Sequence, residues 1–417
     1  HCGCIEMRVL FLTQVLPYPL DAGPKIRAYY TLRRLSGYAD VDLVSFVRAS
    51  DSSAAIDHLR QYCSRVTPVP IHRSRLRDLN HWVGSLITRK PFLIARDFSK
   101  AMTRQIASIV REGPPFDVIH ADQLWMAPYA LLARDLSPRR PLTVLDQHNA
   151  VFQIPARLAA GRRRGLIKSA LSLESKRLAT YEARICSEFD HTVFVTANDL
   201  ELLASEAAAR GLTLRPHVIP IAVDCGQPLV YESVRRRITF LGGLHWPPNA
   251  EGVDWFLDQI WPQVRSRCRD ACFTVVGSAS SNARLRKCED RVDFTGHLAD
   301  CRPHLQETAV FVVPLLSGGG MRVKILNAWA SGLPVVSTHI GAEGLRAVDG
   351  QNIFLADEPA EFAERVCLAY DSPGLRQRIA SGGRETVHQS YDWRRSYAAW
   401  DEVYRCAFSM SHPTHQA

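Results

Sequence analysis

Nowhere does the chain offer an apolar run approaching the roughly 20 residues that a membrane-crossing helix needs, so no transmembrane segment is expected. The opening His1-Cys2-Gly3-Cys4-Ile5-Glu6 has neither a basic start nor an apolar stretch. No signal peptide is read there, and these residues before Met7 stay outside the fold argument. The nucleotide fingerprints G-x-G-x-x-G and G-x-x-x-x-G-K-[ST] are both missing. So is the G-x-S-x-G elbow, and without it Asp146 and His148 do not make a hydrolase. The 11 cysteines are odd in number, and Cys2-x-Cys4 is their one tight pair. Cys268, Cys272 and Cys288 lack histidines at zinc-ligand spacing. The cysteines therefore read as free thiols in a reducing cytoplasm. There is no internal repeat and no low-complexity segment.

What is present is enough for two domains: 417 residues, 46% of them apolar and 22% charged. The net charge of +9 fits attraction to anionic lipid or to a sugar-nucleotide. It fits equally a surface with no specific meaning, and composition does not decide. Nucleic acid is not expected as a partner.

The most informative stretch is Leu315 to Thr338, LLSGGGMRVKILNAWASGLPVVST. The β-branched run Val310 to Val313 ends at Pro314 and reads as a buried parallel strand. Gly318, Gly319 and Gly320 follow. Helical spacing then runs from Met321 to Ala330, stopped by Gly332 and Pro334, and Val335-Val336 opens another strand. A glycine loop lets a ligand approach backbone N–H groups, and a helix start adds partial positive charge. Arg322 and Lys324 bring two full charges, as a diphosphate site requires. A plain turn with solvated basic residues is the bland reading of the loop taken alone.

Along the chain, strands and helices alternate as in an α/β protein with parallel sheets. Strands are expected at 8–13, 41–47, 66–71, 116–120, 142–145, 191–195 and 216–219. Helices are expected at 24–36, within 76–111, at 155–187 and at 197–208. Val223 to Pro228 reads as a linker. Beyond it strands are expected at 237–241, 272–276, 291–294 and 352–355, a helix at 249–265, and a last helix from Tyr391 to about Phe408.

The central stretch resembles the donor-site segment of family 4 glycosyltransferases, in the branch reading G-G-G-x-R-x-K-x-L-E-A-x-A-x-G-x-P-V-V-S-T-x-x-G-x-E-G-L. The resemblance rests on Gly318 to Ala330, Gly332, Pro334 and Gly341-Ala342-Glu343-Gly344-Leu345. It extends from Met7 over nearly the whole chain. Thr239 to Asn249 is similar to the family's first strand and loop of the second domain. His217 to Asp224 is similar to its V-I-P-N-G-V-D linker, with Ile221 and Ala222 in place of Asn and Gly. Tyr391-Asp392-Trp393 is similar to its F-S-W. Asn327 stands where the family carries a glutamate thought to hold the nucleotide ribose. Asn accepts a hydrogen bond but carries no charge.

The resemblance implies a GT-B fold: two Rossmann-like α/β domains facing a cleft. Residues 7–222 would form an acceptor-binding domain and 223–390 a nucleotide-sugar domain, with 391–417 a helix returning to the first. It implies transfer of a sugar from a nucleotide-diphosphate sugar, with retention and without metal or other cofactor, to a glycan, a lipid-linked or a small-molecule acceptor. The implied catalytic residues are His120, Arg322 and Lys324. Donor contacts fall to Gly23, Gly242, Gly243, Gly296, Gly318, Gly319, Gly320, Met321, Asn327 and Glu343, and the acceptor side to Lys25, Arg27, Asp146 and His148. The alternative, prompted by Asn327, is a catalytically silent GT-B protein that binds a nucleotide-sugar or supports a partner enzyme. The expected location is cytoplasmic. Peripheral contact with the inner membrane face is expected through Arg162-Arg163-Arg164, Lys168 and nearby Arg157, beside Leu166-Ile167.

Overall fold

A computed structural model describes residues 7–71, 91–160, 165–230, 237–278, 291–298 and 300–411, and the side chains of these up to 405. The chain divides into two compact units, His1–Ala222 with Ser396–Ala417, and Val223–Arg395. Tyr391 to Arg395, read from sequence as the start of the returning segment, belong to the second unit.

The first unit is built on seven strands: β1 (Met7–Thr13), β2 (Ala39–Val47), β3 (Arg65–Pro70), β4 (Val118–Asp122), β5 (Leu142–Gln147), β6 (His191–Phe194) and β7 (Pro216–Val218). They lie in the order β3-β2-β1-β4-β5-β6-β7, and every pair is parallel. β1, β4 and β5 are buried almost throughout, because helices cover both faces of a parallel sheet. The helix Lys100–Glu112 turns Met102, Ile106, Ile109 and Val110 inward, a spacing of three and four that gives one apolar stripe.

The second unit repeats the plan with β8 (Arg237–Leu241), β9 (Cys272–Val276), β10 (Val292–Gly296), β11 (Thr308–Val313), β12 (Val335–Ser337) and β13 (Phe354–Leu355). Their order is β10-β9-β8-β11-β12-β13, again all parallel. In both sheets the order reverses after the first strand, between β1 and β4 and between β8 and β11. Such a reversal opens a crevice beyond the carboxyl ends of the two strands, because their crossovers leave toward opposite faces.

Three elements differ from the sequence reading. The last helix, expected from Tyr391, is a short helical turn Trp393–Ser396 followed by a separate helix Ala399–Ser411. The helix expected over 155–187 is two helices, Gln153–Ala160 and Leu166–Ser187, which pack on each other. In the second of them Leu178 and Ile185 are buried, whereas Leu166 and Ile167 near its start are exposed. The helix of the central stretch spans Val323–Ser331, so Arg322 is its N-cap residue and lies outside the first turn. Gly332 closes it in the left-handed conformation (φ 78°), which accounts for glycine there.

Candidate functional site

In the second unit Gly242, Gly243 and the loop of Gly318 to Gly320 gather at the β8–β11 reversal. Gly242 and Gly243 follow β8. The loop Leu315 to Arg322 follows β11, with Gly318 at φ 120° and Gly320 at φ 74°, backbone that side-chain-bearing residues rarely adopt. Lys324 reaches back from the helix Val323–Ser331. Its ammonium donates to Asn249 Oδ1 at 2.9 Å and lies 4.2 Å from the centre of the Phe240 ring. Asn249 Nδ2 in turn donates to the Gly243 carbonyl at 2.9 Å. A Cβ on Gly242 would stand 2.8 Å from both Lys324 Nζ and Asn249 Nδ2, so the ammonium fits only because that strand end carries no side chain. Burial and the neighbouring Arg322 charge pull the Lys324 pKa down to about 7. An anion is what would restore the charge.

Arg322 is buried and turned into the glycine loop, donating to the Gly319 carbonyl and packing against Gly318. It shapes the loop as well as charging it. Thr338 Oγ1 donates to the Leu315 carbonyl at 2.5 Å and accepts from Gly341 N at 2.9 Å, joining the loop after β12 to the loop after β11. Met321 is buried, Gly319 half-buried and Glu343 half-buried. Asn327 is exposed, three residues beyond Lys324 on the same helix face. Gly296 ends β10 at φ 73° and accepts from Gly277 N at 3.0 Å; it sits on the edge strand, away from the reversal. Asn249 lay within the quoted motif, yet its bridge between Lys324 and Gly243 is visible only in three dimensions.

The first unit corrects several expectations. His120 was expected to be catalytic. Its ring is wholly buried, stacked 4.1 Å from Phe11 and edge-on to Trp400, with Nδ1 2.5 Å from Tyr404 Oη. Burial drives its pKa down to about 3, so it is neutral, and the side chains of the last helix leave it no open face. Arg27 and Asp146, expected on the acceptor side, are fully buried and committed to each other at 2.7 to 2.9 Å. Arg27 also donates to the carbonyls of Ile219 (2.8 Å) and Pro220 (3.1 Å), and its guanidinium lies near the Tyr397 and Trp400 rings.

His148 stands at the end of β5 with Nε2 2.9 Å from Asp122 and 3.6 Å from Asp146. Burial alone would lower its pKa, but the two carboxylates outweigh it and raise it to about 9. Arg27, Asp122, Asp146 and His148 thus form a charge-balanced buried cluster. His120, Asp122 and Asp146 come within 4.8 Å of one another, and Arg27 and His148 already bond the two carboxylates. Of this cluster Asp122 was missed from sequence, as was Glu182. Glu182 is buried in the helix Leu166–Ser187 and accepts from Val151 N (2.9 Å), Phe152 N (3.0 Å) and Gln147, fixing the chain just after His148. Burial raises its pKa to about 8 despite those bonds. Gly23 and Lys25 open the helix Gly23–Leu35, which has no side-chain N-cap, and Lys25 pairs with Asp21 at 2.9 Å. Asp40 and Asp42 of β2, spaced as Asp-x-Asp, both face Arg8, at 3.5 and 3.2 Å.

Arg162-Arg163-Arg164 lie outside the described residues. Beside them, Leu158, Leu166, Ile167 and Leu173 are exposed, and Lys168 and Lys176 line an open hollow with Gly165 and Ser169. No helix among the described residues is long and apolar enough to cross a membrane.

Comparison with known proteins bears on these two units. Residues 235–372 match the family model described as Glycosyl transferases group 1. Over nearly its full length the chain is similar in fold to solved structures. A sucrose-phosphate synthase from Thermosynechococcus elongatus aligns with a TM-score of 0.69 at 14% identity, covering 97% of this chain and 100% of that one. The architecture is GT-B. Anabaena HepE, solved in complex with UDP and glucose, aligns with a TM-score of 0.64 at 14% identity over 96% of this chain and 100% of its own. In sequence, a 44.6 kDa protein in the cps region of Klebsiella pneumoniae is 21% identical over 407 residues, 94% of this chain and 98% of that protein. The family-model match supports a glycosyltransferase, and the structural likenesses show the fold.

The buried pair makes a direct prediction about stability. Replacing Arg27 with Ala strands the Asp146 carboxylate and two carbonyls without solvent, which costs about 3–5 kcal/mol. Urea unfolding should show a loss of that order for Arg27→Ala; a change below about 1 kcal/mol would show that the pair does not hold the fold.

Proposed function

We propose that the protein is a retaining, metal-independent glycosyltransferase of family 4 that takes its sugar from a uridine diphosphate sugar. The observation that carries this reading is the Lys324 ammonium, held by Asn249 over Gly242 beside a glycine loop at a strand-order reversal. A diphosphate set in that crevice would meet Lys324 and the backbone of Gly318 to Gly320, with the Arg322 charge behind them. Uridine is chosen because HepE was solved with UDP.

Transfer breaks the bond between the anomeric carbon and the diphosphate oxygen. Negative charge grows on that oxygen as the carbon becomes oxocarbenium-like. Cationic donors already in place lower the barrier because they need not reorganise as the charge develops. The sugar passes to an acceptor hydroxyl on the same face, and the hydroxyl proton goes to the departing diphosphate oxygen. Asn327, on the same face as Lys324, would hold the ribose as a neutral acceptor. For the acceptor, a lipid-linked glycan fits best, since exposed Leu166 and Ile167 beside Lys168 form a surface suited to anionic lipid.

Calorimetry with UDP tests the donor site. Lys324→Ala should weaken binding about tenfold to a hundredfold, the worth of one charge-assisted bond. In the unaltered protein, affinity should fall as pH rises above about 7, because the depressed lysine then loses the proton that binding requires. Equal affinity in the variant, or no pH dependence between 6 and 9, would refute the placement. Turnover of a UDP-sugar panel tests the activity; UDP binding without turnover of any sugar would make the protein a silent binder. For the lipid surface, co-sedimentation with anionic vesicles should be lost in Leu166→Ser/Ile167→Ser; undiminished binding would exclude that surface.

A further inference from the structure

We propose that Cys225, His388 and Asp392 form a binding site for one zinc-like divalent cation, clamping together the two segments through which the chain enters and leaves the second unit. Those segments are already paired. Val223 N donates to the Tyr391 carbonyl at 2.9 Å, and Trp393 N donates to the Val223 carbonyl at 3.1 Å. Cys225 stands two residues along the entering segment. Asp392 lies in the leaving one, opposite Val223. His388 is in the last turn of the helix Pro373–Ser390, four residues before Asp392.

One ligand atom from each residue lies within 4.8 Å of the other two. His388 Nδ1 is 4.0 Å from Asp392 Oδ2. In a tetrahedral zinc site with bonds of about 2.0–2.3 Å, ligand atoms stand roughly 3.3–3.8 Å apart. Small side-chain rotations therefore close the set around an ion. A thiolate, an imidazole and a carboxylate are the mixed soft and hard donors that zinc accepts.

The surroundings sort the two carboxylate oxygens. Asp392 Oδ1 accepts from Arg394 N at 2.9 Å and lies 3.6 Å from the Arg394 guanidinium, leaving Oδ2 toward His388. Arg394 is paired with Asp224 at 2.9 Å. Arg384 is directed to the carbonyls of Ala330 and Gly226. Cys225 is buried, with its Sγ 4.0 Å from the Val223 carbonyl. His388 is 40% exposed in its side chain, so the ion enters from solvent there and water completes the fourth position. Burial, together with Asp392 and Asp224, pushes the thiol up to about 12. Binding must therefore displace the thiol proton, which leaves to solvent as the sulfur–metal bond forms. The ligands come from two ends of the unit's sequence, so no Cys/His spacing motif announces them.

The test is Co²⁺ titration of the full chain after removal of metal with EDTA. One equivalent should produce a thiolate-to-cobalt charge-transfer band and the visible bands of tetrahedral cobalt, both abolished by Zn²⁺. Cys225→Ser should lose the charge-transfer band, His388→Gln should bind at least about tenfold more weakly, and Cys272→Ser should match the unaltered protein. Zn²⁺ should raise the melting temperature of the unaltered protein and not that of Cys225→Ser. His388→Gln changes a part-exposed side chain, so it keeps the test valid if Cys225→Ser folds poorly. No thiolate–cobalt band, a band undiminished in folded Cys225→Ser, or unchanged affinity in His388→Gln would overturn the proposal.

Discussion

The site depends on keeping one ammonium half-buried at a strand end. Lys324 is set where burial and a neighbouring arginine both penalise its charge, and among the described residues Asn249 and the face of Phe240 support it. Three features make that position possible. The strand reversal opens the crevice, Gly242 leaves space above β8, and the glycine loop keeps side chains out of the other wall. A cation held this way is preorganised for an anion: little must move when a diphosphate arrives, and the anion recovers electrostatic energy that folding had spent.

The first unit treats charge differently. Its cluster of Arg27, Asp122, Asp146 and His148 is balanced and closed, with each carboxylate meeting a cation within hydrogen-bond reach. The last helix adds Trp400 and Tyr404 over His120, and the turn before it sets Tyr397 near Arg27. The guanidinium of Arg27 ties the sheet to the Ile219–Pro220 segment just before the first unit ends. This network organises the unit, whereas the second unit leaves its lysine waiting for a partner. Glu182 works in the same structural manner, holding the backbone after β5 so that His148 keeps its place.

Much of the fold was legible because parallel strands are buried on both faces and read as apolar runs. Val310 to Val313 is an example, and the stops at Gly332 and Pro334 were equally plain. Helix ends were less so. Arg322 fell outside its helix because the positive-φ glycines delay the first turn, a geometric effect without a side-chain signal. In the site, the glycines and Lys324 could be read from local spacing. Asn249 could not be assigned, because its partner is 75 residues away. His120, Arg27 and Asp146 misled for a related reason. A polar residue near a strand end looks the same in sequence whether it faces a ligand or is capped by a helix from the far end of the chain.

The most direct test of this account is a crystal structure of the protein with UDP. The account predicts the diphosphate in the crevice beyond β8 and β11, with a phosphate oxygen within about 3 Å of Lys324 Nζ and further contacts to the N–H groups of Gly318 to Gly320. UDP bound elsewhere, or Lys324 still turned to Asn249 with no phosphate contact at full occupancy, would contradict it.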